Sequence, residues 1–500
     1  MAADRNRSLV CESSSDGIKR SLVFPGGGMR LSYQAGALLA LQEAGMCFQH
    51  MDATSGGSLN MSMLLSGLTP QQMCQRWRSL CLADSIAFLS LEDFLDKDGL
   101  QATASGDGFI NAVYPHLGID VARIRSFDQI PCGYNVLDFA AKRVQVLSNQ
   151  EMDDELLLAG MSLPGVFAPL RREGRILLDT AFLQDANIAE AVRRGAEEIW
   201  VLWGLGNSPQ YQGGALNLYV QMLEMAANGA LNRDMQWIDE INQGIARDYS
   251  PYGQQQPIKV HIIKPEYPLP LDPDLYLGKI DHATLVEMGY ADAKQYLQSE
   301  NAVGVDLLSN VSAMKLMQPG VRFCENIAGA LKSERNNFSV ELHLTVHVQD
   351  MEEFCDSSIP QARVTGRMVA ESLGGELLIA RGVFQILRDP GETVQRRLVY
   401  ELQFDDGDHH YLLFAQKILR DDPGFDMWRD ITSMHLELFK LDGSLRESLA
   451  KGELRQGLMG FGKLMASVRA CGVEGMLAEA EQIALFGRFM MGEIYDTYQS

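Results

Sequence analysis

The chain has 500 residues, of which 46% are hydrophobic and 22% charged. That is the balance of a folded globular protein and excludes a disordered one, and the length suggests about two to three domains. A formal net charge of −22 opposes binding to nucleic-acid phosphate and recruitment to anionic lipid, so any membrane contact is expected to be apolar and local.

The N-terminal stretch MAADRNRSLVCESSSDGIKR has no apolar core of a signal peptide. No segment reaches the ~18 consecutive apolar residues of a membrane span. Residues 1–18 read as a flexible lead, and a cytoplasmic location is expected, with export by another route left open. Eight cysteines form no C-x-x-C pair. Several sit in apolar helical contexts, so they are expected as free, buried thiols of a reducing compartment.

From residue 19 to about 300, strand-like and helix-like stretches alternate, the mark of an α/β layer fold. SLVF is a short buried strand, residues 29–45 are helical in pattern, CFQHMDA is the next strand, and residues 57–66 the next helix. YNVLDFAAKRVQVLSN reads as a hairpin, RILLD as a strand, NIAEAVRRGA as a helix, and EIWVLWGL and IKVHIIKP as strands. HATLVEMGYADAKQYL closes the region as an amphipathic helix. Residues 301–337 read as a connector with helical pieces. In VELHLTVHV, Val340, Leu342, Leu344, Val346 and Val348 alternate with polar residues, which predicts a half-exposed strand. Asp406-Gly407 marks a hairpin turn, MHLELFKL another strand, and residues 445–498 read as mostly helical. The expected organisation is an α/β domain over 19–300 and a smaller α+β domain over 338–500.

Chemistry concentrates in two places. A serine hydroxyl at its own pKa is a poor nucleophile; it needs a base within hydrogen-bond reach and donors aimed at the developing oxyanion. ATSGG, with Ser55 followed by Gly56 and Gly57, is a tight strand-to-helix turn of the kind that exposes a nucleophile, with Ala53 where glycine is usual. Upstream, GGGMR follows a strand and opens a helix, so Gly26, Gly27 and Gly28 can bring bare amides close to an anion, and Arg30 lies in the first helical turn. Leu31 stands at the third glycine position of a dinucleotide motif, and no Gly-Lys-Ser/Thr follows, which leaves an oxyanion hole as the best functional reading. A glycine-rich turn without a ligand stays open as the alternative. For the base, His261 and His282 could serve a Ser-His-Asp order, although Ser55 comes early for an ordinary α/β-hydrolase.

Four stretches in order resemble the patatin-like phospholipases: FPGGGMRLSYQAGALLALQEAG, ATSGGSLN, GMSLPGVFAPL (residues 160–170) and RILLDTAFLQDANIAEAVRRGAEEIWVL. The resemblance covers most of residues 20 to about 300. It implies a three-layer α/β/α domain and a serine–aspartate dyad that needs no histidine. Ser55 would be the nucleophile and Asp179 its base. The amides of Gly26, Gly27 and Gly28 would form the oxyanion hole, with Arg30 in support. The implied reaction is hydrolysis of a carboxylic ester in a lipid or phospholipid, of phospholipase A or lysophospholipase type, through an acyl-enzyme.

Three residues depart from the family pattern: Leu31 and Ala53 replace glycines, and Thr180 stands where glycine follows the aspartate. If that last position needs a positive φ, threonine would strain it and misplace Asp179, so a lipid-binding protein with an impaired site is the alternative. In GALNLYVQMLEMAANGAL the apolar stripe Leu216, Val220, Leu223, Ala227 suits a core helix better than a lid. LLFAQKILRDDPGFDMWRDITSMHLELFKLD is similar to an accessory domain found beside sterol-oxidase-type flavoenzymes and some patatin-like proteins, which implies gating or docking of bulky lipids. Asp421, Asp422, Asp426 and Asp430 lack the spacing of a calcium loop, and no flavin fingerprint occurs, so neither metal nor cofactor is expected.

Overall fold

The structure is a computed structural model that describes residues 8–81, 102, 106–271, 274–275, 277–299, 303–333, 337–390, 394–405, 409–420, 427–443 and 445–498. These divide into two compact units at residues 316 and 317.

The first unit is built on an eight-stranded mixed sheet. Its strands are β1 (Arg20–Phe24), β2 (His50–Thr54), β3 (Cys132–Asp138), β4 (Arg143–Ser148), β5 (Leu170–Arg172), β6 (Arg175–Leu178), β7 (Glu198–Leu202) and β8 (Lys259–Ile263). The order is β5-β6-β3-β2-β1-β7-β8, with β4 paired to β3. β3, β2, β1, β7 and β8 run parallel. Strands covered on both faces carry little polar alternation, and β2, β3 and β7 are accordingly buried throughout. On one face Val23, Ile199, Val201, Val260 and Ile262 pack against the helices Ile188–Arg193 and Ala215–Ile245. On the other, Trp200 and His261 meet Tyr296 of the helix His282–Gln298. The helices α1 (Ser32–Glu43) and α2 (Gly57–Leu65) follow β1 and β2. The expected α/β layering is what forms.

The second unit is an antiparallel sheet of strands β9 (Gly320–Lys332), β10 (Asn337–Val348), β11 (Gln361–Ala370), β12 (Gly375–Pro390), β13 (Val394–Asp405), β14 (His410–Arg420), β15 (Ser433–Asp442), β16 (Leu445–Arg455) and β17 (Arg469–Cys471). Each strand from β9 to β16 pairs with the next, and β16 returns to pair with β9, so the sheet closes into a barrel. Helices at Leu458–Ser467 and Met476–Tyr498 accompany it. The smaller domain is thus a barrel with helices.

Two segments differ from expectation. The connector over 301–337 contains β9, whose inward row Val321, Phe323, Ile327, Leu331 is interrupted by buried Glu325, and that charge masks the alternation. Residues 445–455 form a strand rather than a helix; only Ala450 and Leu454 of it are buried, too few to show a period. The Asp406-Gly407 turn lies outside the described residues, while its flanks β13 and β14 pair antiparallel. Asp421, Asp422 and Asp426 also lie outside them, whereas Asp430 accepts a hydrogen bond from Tyr498 Oη at 2.7 Å.

The cysteine expectation is corrected at one pair: Cys11 and Cys47 form a disulfide across the bridge between Val10 and Phe48, which fastens residues 9–11 of the expected flexible lead to the chain before β2. Cys74, Cys81, Cys132, Cys324, Cys355 and Cys471 form no disulfide, and of these only Cys74 and Cys132 are buried. Among the described residues no helix is long and apolar enough to cross a membrane.

Inside the barrel, Glu325 accepts hydrogen bonds from Lys417 Nζ and, at 2.7 Å, from Tyr400 Oη, with all three side chains buried. Removing one member of a buried pair strands the other charge. Lys417→Met is therefore expected to destabilise the protein by about 3–5 kcal/mol in urea unfolding, and the double variant Glu325→Leu/Lys417→Met to recover most of that loss. Equal stability of Lys417→Met and the parent protein would contradict the pairing.

Candidate active site

Ser55 follows β2 with φ +50°, in the left-handed region that a non-glycine residue occupies only when its surroundings impose it. The imposition is visible. A Cβ on Gly56 would lie 2.5 Å from the carbonyl oxygen of Gly28, and one on Gly57 would lie 2.4 Å from that of Phe24. The turn therefore packs directly on the chain leaving β1, and α2 begins at Gly57 with its amide end beside the serine. Ala53 sits within β2, paired to Phe24 and Tyr134, where its methyl group is fully buried. The turn forms with alanine there.

The glycine loop lies on the other side of Ser55. Gly27 has φ +148° and Gly28 φ +70°, conformations that L side chains rarely adopt. A Cβ on Gly26 would come within 2.8 Å of Ser55 Cβ and 2.4 Å of Asp185 Oδ1. Arg30 is buried, and its Nε donates to the Gly27 carbonyl at 2.7 Å, which fixes the loop's path. Leu31 fills the space beside Gly27 and Gly204, so the missing glycine is replaced by packing.

Asp179 follows β6 and is buried. Ser55 Oγ donates to its Oδ2 at 2.6 Å, and the Ala181 amide donates to its Oδ1 at 2.9 Å. The Asp179 amide donates to the Ser162 carbonyl, which ties the residue to the GMSLPGVF segment. Burial is the main cause that raises the Asp179 carboxyl to about 6, against the lowering by hydrogen bonds from Ser55 and from the Ala181 and Thr180 amides.

Thr180 is not among the residues with positive φ. Its backbone is ordinary, its hydroxyl donates to the Gln184 carbonyl at 2.9 Å, and its own carbonyl accepts from the Leu183 and Gln184 amides. Threonine closes this loop without displacing Asp179.

The histidine alternative finds no geometry. His261 Nδ1 lies 3.1 Å from Tyr296 Oη with its ring stacked on Trp200, and His282 Nδ1 lies 3.1 Å from Ser32 Oγ. Neither reaches Ser55. Burial lowers both imidazoles to about 4.

Asp185, which the sequence reading did not single out, also lies at this centre. It is buried and receives the Gly26 amide. Its only signal in the sequence is a second acid six residues beyond Asp179. Near Asp179, Phe182 meets Tyr219 edge to face at 5.9 Å, and Tyr219 Oη donates to the Pro164 carbonyl at 2.7 Å. Around Tyr219 the first turns of the 215–245 helix expose Leu216, Met222 and Met225, while Leu223 and Ala227 are core. Among the described residues no group of acids, histidines and cysteines could hold a metal ion.

Residues 22–192 match the family described as patatin-like phospholipase. A solved structure, VipD from Legionella pneumophila, is similar at 14% identity, covering 57% of this chain and 69% of its own with a TM-score of 0.33, too low to support any finer point. No curated protein matches the chain.

A carboxyl whose proton is held more tightly in the folded than in the unfolded chain favours folding at low pH, and that contribution is lost as pH rises through its folded value. For Asp179 the window runs from 3.8 to about 6. Asp179→Asn is thus expected to raise stability at neutral pH by about 2–3 kcal/mol. The gain in urea midpoint should shrink toward pH 4, and a gain that does not change with pH would contradict the assignment.

Proposed function

Because residues 22–192 belong to the patatin-like phospholipase family, we propose that this protein is a lipid acyl hydrolase that cleaves a carboxylic ester through an acyl-enzyme on Ser55. The observation that carries the reading is the 2.6 Å hydrogen bond from Ser55 Oγ to Asp179 Oδ2 in a buried setting. Ser55 Oγ attacks the acyl carbonyl carbon while its proton passes to Asp179 Oδ2. The carbonyl electron pair moves onto oxygen, where the amides of Gly27 and Gly28 are the available donors. The intermediate collapses, the alcohol of the lipid leaves with the proton from Asp179, and an ester of Ser55 is left. Water then attacks that ester, Asp179 takes its proton, and release of the fatty acid returns the proton to Ser55.

A base works best with a pKa near the working pH, and a carboxyl raised to about 6 fits that better than an exposed one. Leu216, Met222 and Met225 offer adaptable apolar contacts for an acyl chain or a bilayer surface. The ordinary backbone of Thr180 supports an active enzyme over an impaired lipid-binding protein.

The test is fatty-acid release from phosphatidylcholine vesicles. Ser55→Ala and Asp179→Asn are each expected to lower the rate by about a thousandfold or more with the fold retained. The wild-type rate should fall as pH drops through about 6, because only ionised Asp179 accepts the proton. Full activity in Asp179→Asn would overturn the dyad. Thr180→Gly is expected to leave turnover unchanged; a large gain would show that threonine had impaired the site.

A further inference from the structure

Asp185 is a second acid beside Ser55 with no part in the reaction just described. Its Oδ1 and the Oγ of Ser55 both lie within 3.3 Å of a single point, the position that a Cβ on Gly26 would take. The Gly26 amide donates to Asp185, while Asp185 Oδ2 is buried with no hydrogen-bond partner among the described residues. An ionised carboxylate with one oxygen unsatisfied in a dry site is heavily penalised, and a neutral carboxyl much less so.

The nearest acid points the same way. Asp179 lies on the same loop and Arg30 at the glycine loop. From the 215–245 helix, Glu224 and Asp234 come next, the first near Arg30 and the second bonded to Gln184. Arg30 favours ionised Asp185, but its effect is the smallest of those acting on the group. Burial first, and Asp179 second, raise the Asp185 carboxyl to about 7, just above its neighbour. Two close carboxyls of this kind share their protons as a pair, and the second proton stays where ionisation is harder.

We propose that Asp185 is a positioning residue of the same reaction, which in its neutral form holds Gly26 against Ser55 and in its ionised form shuts the site. The oxyanion of the intermediate forms beside the glycine loop. A neutral Asp185 leaves it unopposed, whereas a carboxylate there would repel both the oxyanion and ionised Asp179 and grip the Gly26 amide more tightly. The productive state then has Asp179 ionised and Asp185 protonated, a single shared proton. This inference rests on Ser55 as the nucleophile.

The test is kcat/KM for a soluble short-chain p-nitrophenyl ester against pH, for wild type and Asp185→Asn. Asparagine keeps an acceptor for the Gly26 amide and cannot ionise. Wild type should give a bell, rising through about 6 and falling above about 7 by about tenfold per pH unit. Asp185→Asn should lose the alkaline fall and leave the acid limb in place, since Asp185 is already neutral where Asp179 titrates. An alkaline fall that persists in folded Asp185→Asn overturns the proposal, as does loss of its activity at every pH. Should that variant not fold, wild type still decides: a rate that stays level above neutral pH overturns the proposal, and an infrared band of a buried protonated carboxyl that titrates with the alkaline limb upholds it. If Ser55→Ala is as active as wild type on the same ester, the reading of the site fails instead, whatever Asp185 does.

Discussion

The hydrogen bond between Ser55 and Asp179 joins residues 124 positions apart in the chain, and the architecture of the first unit can be understood as what that contact requires. Ser55 leaves β2 and the glycine loop leaves β1, adjacent parallel strands, so both reach the same end of the sheet. Asp179 arrives from β6, which pairs with the end of β3, the next strand over. A serine in a left-handed conformation needs neighbours without side chains, and Gly26, Gly56 and Gly57 supply them where a Cβ would collide. Arg30 and Leu31 then fix the loop from behind by a hydrogen bond and by packing.

Burial gives the site its electrostatic character. The carboxyls of Asp179 and Asp185 are raised, because desolvation outweighs the hydrogen bonds and the nearby guanidinium of Arg30. The same burial that makes Asp179 a better base makes it a burden on stability at neutral pH. Active sites commonly carry such a trade-off. In the barrel, by contrast, buried Glu325 has two partners, and its charge is neutralised by Lys417.

The sequence revealed features that depend on local chain geometry. A strand, a small-residue turn and a helix are adjacent positions, so Ser55 and the glycine loop could be recognised; Asp179 came only from the resemblance to the patatin-like phospholipases. What could not be read were pairings between distant segments. Residues 329–332 meet 451–454 to close the barrel, and neither stretch shows a strong period. Cys11 and Cys47 meet only because Val10 pairs with Phe48. Thr180 looked like a strained residue because glycine is usual there, but its acceptability depends on a dihedral angle that no residue type discloses. Nothing local marks Asp185, because its burial beside Gly26 is a tertiary contact.

The claim that matters most is that Asp179 activates Ser55 beside a formed oxyanion pocket. Labelling with a fluorophosphonate, followed by mass spectrometry of the modified peptide, tests it most directly, since the reagent requires both an activated serine and donors for its phosphoryl oxygen. One adduct per chain is expected, on Ser55, formed rapidly in the wild-type protein and lost in Asp179→Asn. A folded wild-type protein that takes no label, or one whose Asp179→Asn variant labels as fast, would contradict it.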